Sequence, residues 1–230
     1  MDDAELRAIR SEVCHLAADW LAAAGNDLWV SSWAIKNPDL EAVALLTQMV
    51  GQLGQEAIDA FERERWYAAT ALTRQIVEAN YLMAMFRIDP PQRRRWLNAS
   101  NNRIVKSFRP NKMRQIAGFD AREYSQHCSW GGHPNPSARW LLPNHNTGAA
   151  HPGALAADLA MHLTEGVDML VSVLETIPGV EPVVKRMPEQ GKLPDRYNRW
   201  RAVDSLSDRM TFPDTPGVDP VRQPLSDCEE

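Results

Sequence analysis

Apolar residues recur at intervals of three and four through four long stretches of this chain, and no stretch alternates apolar with polar residues as a half-buried strand must. That periodicity restricts the fold to packed helices. From Asp2 to Ala24 the apolar positions are Leu6, Ile9, Val13, Leu16, Trp20 and Leu21, one helical face, and Gly25-Asn26 is expected to stop the helix. After a short aromatic connector, Asn37-Pro38 reads as an N-cap followed by proline at the first helical position. The helix it opens should run to about Arg63, with Gly51 and Gly54 allowing another helix to come close.

Trp66 to Ile88 is the next expected helix, central to the domain, ended by Asp89-Pro90-Pro91. Short helical pieces should cover Pro91 to Asn98, Asn101 to Phe108, Pro110 to Ala117 and, after the cap Asp120, the segment through His127. Prolines, glycines and asparagines crowd Gly131 to Pro152, which reads as loop, and Gly153 to Ile177 is the last strong helix. The expected fold is therefore all-α: a bundle of about four long helices with short accessory helices over residues 1–180. A loosely ordered, proline-rich extension covers 181–230, with one short helix near Asp195 to Leu206.

Charge is distributed unevenly. Between Pro90 and Phe119 stand Arg93, Arg94, Arg95, Arg103, Lys106, Arg109, Lys112 and Arg114 without a single acid, in a chain whose formal net charge is −5. Dispersed charges serve solubility better than such a block, so the segment points to an anionic partner. Three scattered cysteines, Cys14, Cys128 and Cys228, form neither a disulfide framework nor a CxxC module. The acidic N-terminus lacks a secretion signal, and Asp158, His162, Glu165 and Asp168 interrupt the most apolar long stretch, so a cytoplasmic protein without a membrane span is expected.

Two groups of polar residues could carry chemistry. Arg74 and Glu78 lie four apart on one helical face and, if turned inward, could orient His133 together with Tyr124. Arg122 and His127 stand as Arg-x4-His: the imidazole can exchange a proton near neutral pH, and the guanidinium can hold a phosphate. Five of the six histidines fall within residues 127–162, and His127, Cys128, His133, His145 and His151 raise a metal reading. Their spacings match no compact zinc module, and no carboxylate lies between Glu123 and Asp158, so no metal and no cofactor is assigned from the sequence.

The run Leu72-Thr73-Arg74-Gln75-Ile76-Val77-Glu78-Ala79, the helix end at Asp89-Pro90, and Tyr124 followed by Ser129-Trp130-Gly131-Gly132-His133-Pro134 resemble a group of bacterial all-helical proteins with an LLRxxxE helix and a later YxxLSxxxHP segment. Thr73 replaces the second leucine of the pattern and the tyrosine lies one residue further away. That group is similar in turn to the HEPN superfamily, helical bundles that include metal-independent RNases of toxin and phage-defence systems as well as non-catalytic binding modules. The resemblance covers about residues 66–136 and implies RNA as partner, a homodimer, and Arg122 and His127 as the catalytic pair of an endoribonuclease. Two other readings stay open: a non-catalytic module binding a protein partner or a small anionic ligand, and a metal-dependent hydrolase built on the histidine-rich loop.

Overall fold

The computed structural model describes residues 2–132, 136–142 and 152–206, and among them there is no strand. The all-α expectation holds. Four helices of 23 residues or more make the frame: α1 (Asp3–Ile35), α2 (Pro38–Glu62), α3 (Trp66–Ile88) and α8 (Pro152–Leu174). Between α3 and α8 the chain forms α4 (Pro91–Leu97), α5 (Asn101–Ser107), α6 (Pro110–Ala117) and α7 (Ala121–His127), then a π turn over Cys128–Gly132 and a 3-10 turn over Pro136–Leu141. Two more helices follow α8, namely α9 (Glu181–Val184) and α10 (Leu193–Val203).

Local chemistry explains most of the boundaries. Asp2 caps α1 through a reciprocal capping box with Glu5, and the Asn37 side chain accepts from the amides of Asp39 and Leu40 at the start of α2. Asp120 does the same for α7 by accepting from the Arg122 amide. Gly118 ends α6 in the left-handed region at φ 80°, which a glycine tolerates without strain.

One boundary departs from the expectation. Gly25-Asn26 does not stop α1, which continues ten residues further to Ile35 and ends only at Lys36, in the left-handed conformation at φ 53°. The reason is tertiary. A Cβ on Gly25 would lie 2.7 Å from the backbone nitrogen of Gln48, and one on Gly51 would lie 2.5 Å from that of Ala22. Residue 22 faces 51 and residue 25 faces 48, so α1 and α2 run antiparallel with their backbones nearly touching. Gly25 is there for the close approach, and the buried Leu28 and Ser32 hold the added turns against the bundle.

α8 lies in the groove left by the other three. Leu163, Leu170 and Val173 are fully buried, Gly54 of α2 makes room for Leu163, and Gly166 lies against Asn80 of α3 and Val50 of α2. α3 is central as expected: from Ile76 to Phe86 all but one residue on it, Glu78, is buried.

The chain after residue 180 differs from the loosely ordered extension read from its prolines. Val183 and Leu193 are buried, Trp200 is completely enclosed, and Trp20 of α1 donates its indole N–H to the Pro188 carbonyl at 2.9 Å. Asp204 closes the segment onto α1: Arg10 donates Nε to Oδ2 at 2.6 Å and Nη2 to Oδ1 at 2.8 Å, and Trp200 Nε1 donates to Oδ2 at 2.7 Å. Apolar anchors and a buried ion pair outweigh the breaks the prolines introduce. Residues 207–230 lie outside the described residues.

Candidate functional site

Ionisable groups meet in the interior where α3, α7 and α8 come together. α7 presents Glu123 and His127, four residues apart and so on one face; α8 presents Asp158 and His162, again four apart, with Glu165 three residues on. Both histidines are at most 2 % exposed, Glu123 and Asp158 are 7 % and 6 % exposed, and Glu165 is half-buried. The two imidazoles point their Nε2 atoms at each other, 3.1 Å apart, with ring centroids at 5.0 Å. Asp158 Oδ1 lies 3.4 Å from His162 Nε2 and 3.7 Å from His127 Nε2, and Glu123 Oε1 lies 3.5 Å from His162 Nε2. The ligating atoms of Glu123, His127 and His162 all fall within 4.8 Å of one another.

A second layer holds this group in place. His162 Nδ1 is 3.3 Å from Glu165 Oε2, and Asn80 of α3 donates Nδ2 to that same oxygen at 3.1 Å and to the His162 carbonyl at 2.8 Å. Burial pushes His127 down to about 4, so its ring is neutral at neutral pH. Burial pushes Glu123 up to about 7, against the pull of His162. Burial also works against charge on His162, but Asp158 and Glu165 outweigh it and hold that imidazole well above its ordinary value. Asp158 is held below its ordinary value because His127 and His162 outweigh its burial.

Beside this interior group, the Arg74–Glu78–Tyr124 cluster expected from the sequence is assembled. Arg74 Nη2 donates to the Tyr124 hydroxyl at 3.1 Å and pairs with Glu78 Oε1 at 3.0 Å, and the tyrosine hydroxyl donates to the same Glu78 oxygen at 3.3 Å. The guanidinium also lies over the Tyr124 ring, 5.6 Å from its centroid. The expected fourth member, His133, lies outside the described residues. Arg74 and Glu78 keep 18 % and 27 % of their side chains exposed, so the network is half-buried and its removal is milder than that of a fully desolvated pair. Glu78→Ala is expected to lower unfolding stability by about 1–3 kcal/mol, the range for a hydrogen bond to a charged group. Urea denaturation checks this; a midpoint equal to that of the wild type would mean that the network contributes nothing.

Arg122 and His127 are separated by the orientation of α7. Arg122 is exposed, whereas His127 is turned inward onto His162. The side chain that would exchange protons with an RNA strand is thus enclosed by protein.

The basic segment divides into two groups. Arg93 is buried, 1 % exposed, and bonds Thr176 beyond the end of α8. Arg94 makes a two-pronged contact with Asp39 at 2.9 and 3.2 Å, and Arg114 donates to the Phe119 carbonyl at 3.0 Å. Arg93 and Arg94 fasten α4 to the bundle, and Arg114 closes the turn that follows α6. Arg95, Arg103, Lys106, Arg109 and Lys112 are exposed and make no ion pair among the described residues.

No protein-family profile, no curated protein and no solved structure matches this chain. Its site therefore stands on its own geometry.

Sequence reasoning grouped Arg74, Glu78 and Tyr124, put His127 with Arg122 in a cleft, and missed Glu123, Asp158, Glu165 and Asn80 as the companions of His127. A signal was present: Glu-x3-His on one helix and Asp-x3-His-x2-Glu on another each align their polar groups along a single face. The two carboxylates that close the cluster lie on either side of the histidine-rich loop, on different helices.

Proposed function

We propose that this protein is an RNA-binding helical module that holds the phosphate backbone on the surface formed by α4, α5 and α6, and that it binds without cleaving through Arg122 and His127. The observation that carries this reading is the set of exposed cations Arg95, Arg103, Lys106, Arg109 and Lys112, unpaired among the described residues on an otherwise acidic chain. α5 supports it as well: the helix has no buried residue, so its Arg103 and Lys106 serve no packing role. Phosphate contacts of this kind give affinity through counterion release and little sequence preference. The burial of His127 speaks for binding over cleavage, since general acid–base work requires the imidazole to reach the 2′-hydroxyl or the leaving oxygen. The resemblance to HEPN proteins, which include non-catalytic branches, is in keeping with this reading.

The test is a fluorescence-anisotropy titration with a single-stranded RNA across a series of salt concentrations. Four phosphate contacts predict a slope of log K against log salt of about −3 for single strands. Changing Arg103 and Lys106 together to alanine should make that slope shallower by about 1 to 2, across sequences alike. A salt-independent affinity, or none at all, would sink the reading; binding of inorganic phosphate alone with the same dependence would point instead to a small anionic ligand.

A further inference from the structure

We propose that Glu123, His127, Asp158 and His162 form a binding site for one divalent first-row transition-metal ion, of the zinc or ferrous class, that fastens α7 to α8. The inference is independent of the RNA-binding reading, because none of the four residues lies on α4, α5 or α6.

The first support is metric. A tetrahedral ion with metal–ligand distances of about 2.0–2.1 Å requires ligand atoms about 3.3–3.4 Å from one another. Four of the six approaches, at 3.1, 3.4, 3.5 and 3.7 Å, are scattered around that edge length, and the two from Glu123 to His127 and to Asp158 are longer, so an ion would have to draw the Glu123 carboxylate inward.

The second support is a shortage of hydrogens. His162 Nε2 faces His127 Nε2, Asp158 Oδ1 and Glu123 Oε1, yet an imidazole nitrogen carries at most one hydrogen and can donate it to one of the three. With Glu123 ionised, no placement of the ring hydrogens satisfies every approach, and at least one sets like against like in a site shielded from water. Glu123 Oε1 is the clearest case: it is buried, aimed at His162, and makes no hydrogen bond among the described residues. Buried polar atoms are ordinarily satisfied, and an orphaned acceptor needs a reason. A single cation would take a lone pair from Glu123, His127 and His162, whose ligating atoms lie within 4.8 Å of one another, with Asp158 beside the two imidazoles as the fourth donor.

The third support is the outer layer. A ligating histidine ordinarily donates its other ring N–H to a carboxylate, a backbone carbonyl or water. Glu165 stands in that position on His162 Nδ1, itself held by Asn80, whereas His127 Nδ1 makes no hydrogen bond among the described residues. The donor set decides the class of ion. Two imidazoles argue against calcium or magnesium, and two hard carboxylates with no thiolate argue against cuprous copper, which leaves zinc, iron(II) and their neighbours. The two carboxylates balance the double positive charge. All four donors come from the protein and are buried, so the centre is closed and its role is to hold helices together.

The experiment titrates chelator-treated full-length protein with Co2+, an optical stand-in for the proposed ion. Wild-type protein is expected to take up one equivalent per chain, with the visible absorption of a protein-bound rather than hydrated ion, and to melt at a higher temperature with Zn2+ than without. His162→Gln and Asp158→Asn should weaken binding by roughly 100-fold or more, and Glu165→Gln, which touches the His162 ring and Asn80 but none of the four donor atoms, by about 10- to 100-fold. Far-UV circular dichroism confirms that each variant is folded. Should His162→Gln fail to fold, Glu123→Gln takes its place, since it keeps the shape and removes the charged donor. A variant with His133, His145 and His151 all changed to alanine should bind as the wild type does. Uptake that survives His162→Gln or Glu123→Gln, uptake lost in the triple loop variant, or no uptake by the wild type would each overturn the proposal.

Discussion

Asp204→Ala is expected to cost about 3–5 kcal/mol of unfolding stability, the range for leaving a buried charge without its partner. Arg10 and Asp204 are joined by two short hydrogen bonds, and their side chains are only 7 % and 1 % exposed. The carboxylate also receives the Trp200 indole N–H and the Leu206 amide, so its loss strands two further donors. The contact joins residues 194 positions apart, and it is what closes the α9–α10 segment over α1. Asp204→Asn, which keeps the shape but not the charge, should recover only part of the loss.

The same pair carries a pH dependence with a definite sign. Burial opposes charge on Asp204, but the hydrogen bond from Arg10, with those from Leu206 and Trp200, holds its folded pKa below the ordinary 3.8. A carboxylate with a depressed folded pKa contributes stability that is fully present above its unfolded value and is lost as pH falls through its folded value. Below about pH 4 the wild type should therefore lose stability faster than Asp204→Ala, and the two should converge. Parallel curves through that window, or equal urea midpoints at neutral pH, would refute the role given to this pair.

Gly51→Ala should destabilise the protein by about 1–3 kcal/mol, as overpacking does, although the same change in an exposed helix is worth about 1 kcal/mol of stabilisation. The added methyl would lie 2.5 Å from the Ala22 nitrogen and 2.7 Å from its Cα. Both are backbone atoms, so no rotamer change relieves the clash and α1 must move away from α2. Gly25→Ala meets the Gln48 backbone nitrogen at 2.7 Å in the same seam. Once the first substitution has separated the helices the second has less to clash with, so the double variant should lose less than the two single losses added together. If Gly51→Ala melts at or above the wild-type temperature, the helices are not in the contact described.

The glycines show what a linear reading can and cannot recover. Gly51 and Gly54 are legible as sites of close approach because they sit mid-helix, where glycine has no local use. Gly25-Asn26 has the same composition as a helix stop and reads as one. Only the position of Gln48 across the seam shows why α1 continues to Ile35.

The helix boundaries elsewhere were written locally. Asn37-Pro38, Asp120 and the prolines opening α4 and α6 act within a turn of their own position, and the structure places helices at each of them. The basic segment was legible as a count but not as a surface. Whether an arginine is a strut, like Arg93 on Thr176 and Arg94 on Asp39, or an exposed charge, like Arg103, depends on partners more than 50 residues away.

By itself, then, the sequence determined an all-helical chain, the places where most helices begin and end, and the shared face of Arg74 and Glu78, because helical periodicity and capping are short-range effects. The tertiary structure alone decided that His127 faces His162 instead of solvent, that Glu123 and Asp158 join them, and that 181–206 folds back onto α1. Those outcomes rest on contacts between residues 31 to 194 positions apart, set by how the helix faces pack; the spacing within one helix aligns its own polar groups but does not say which helix they meet.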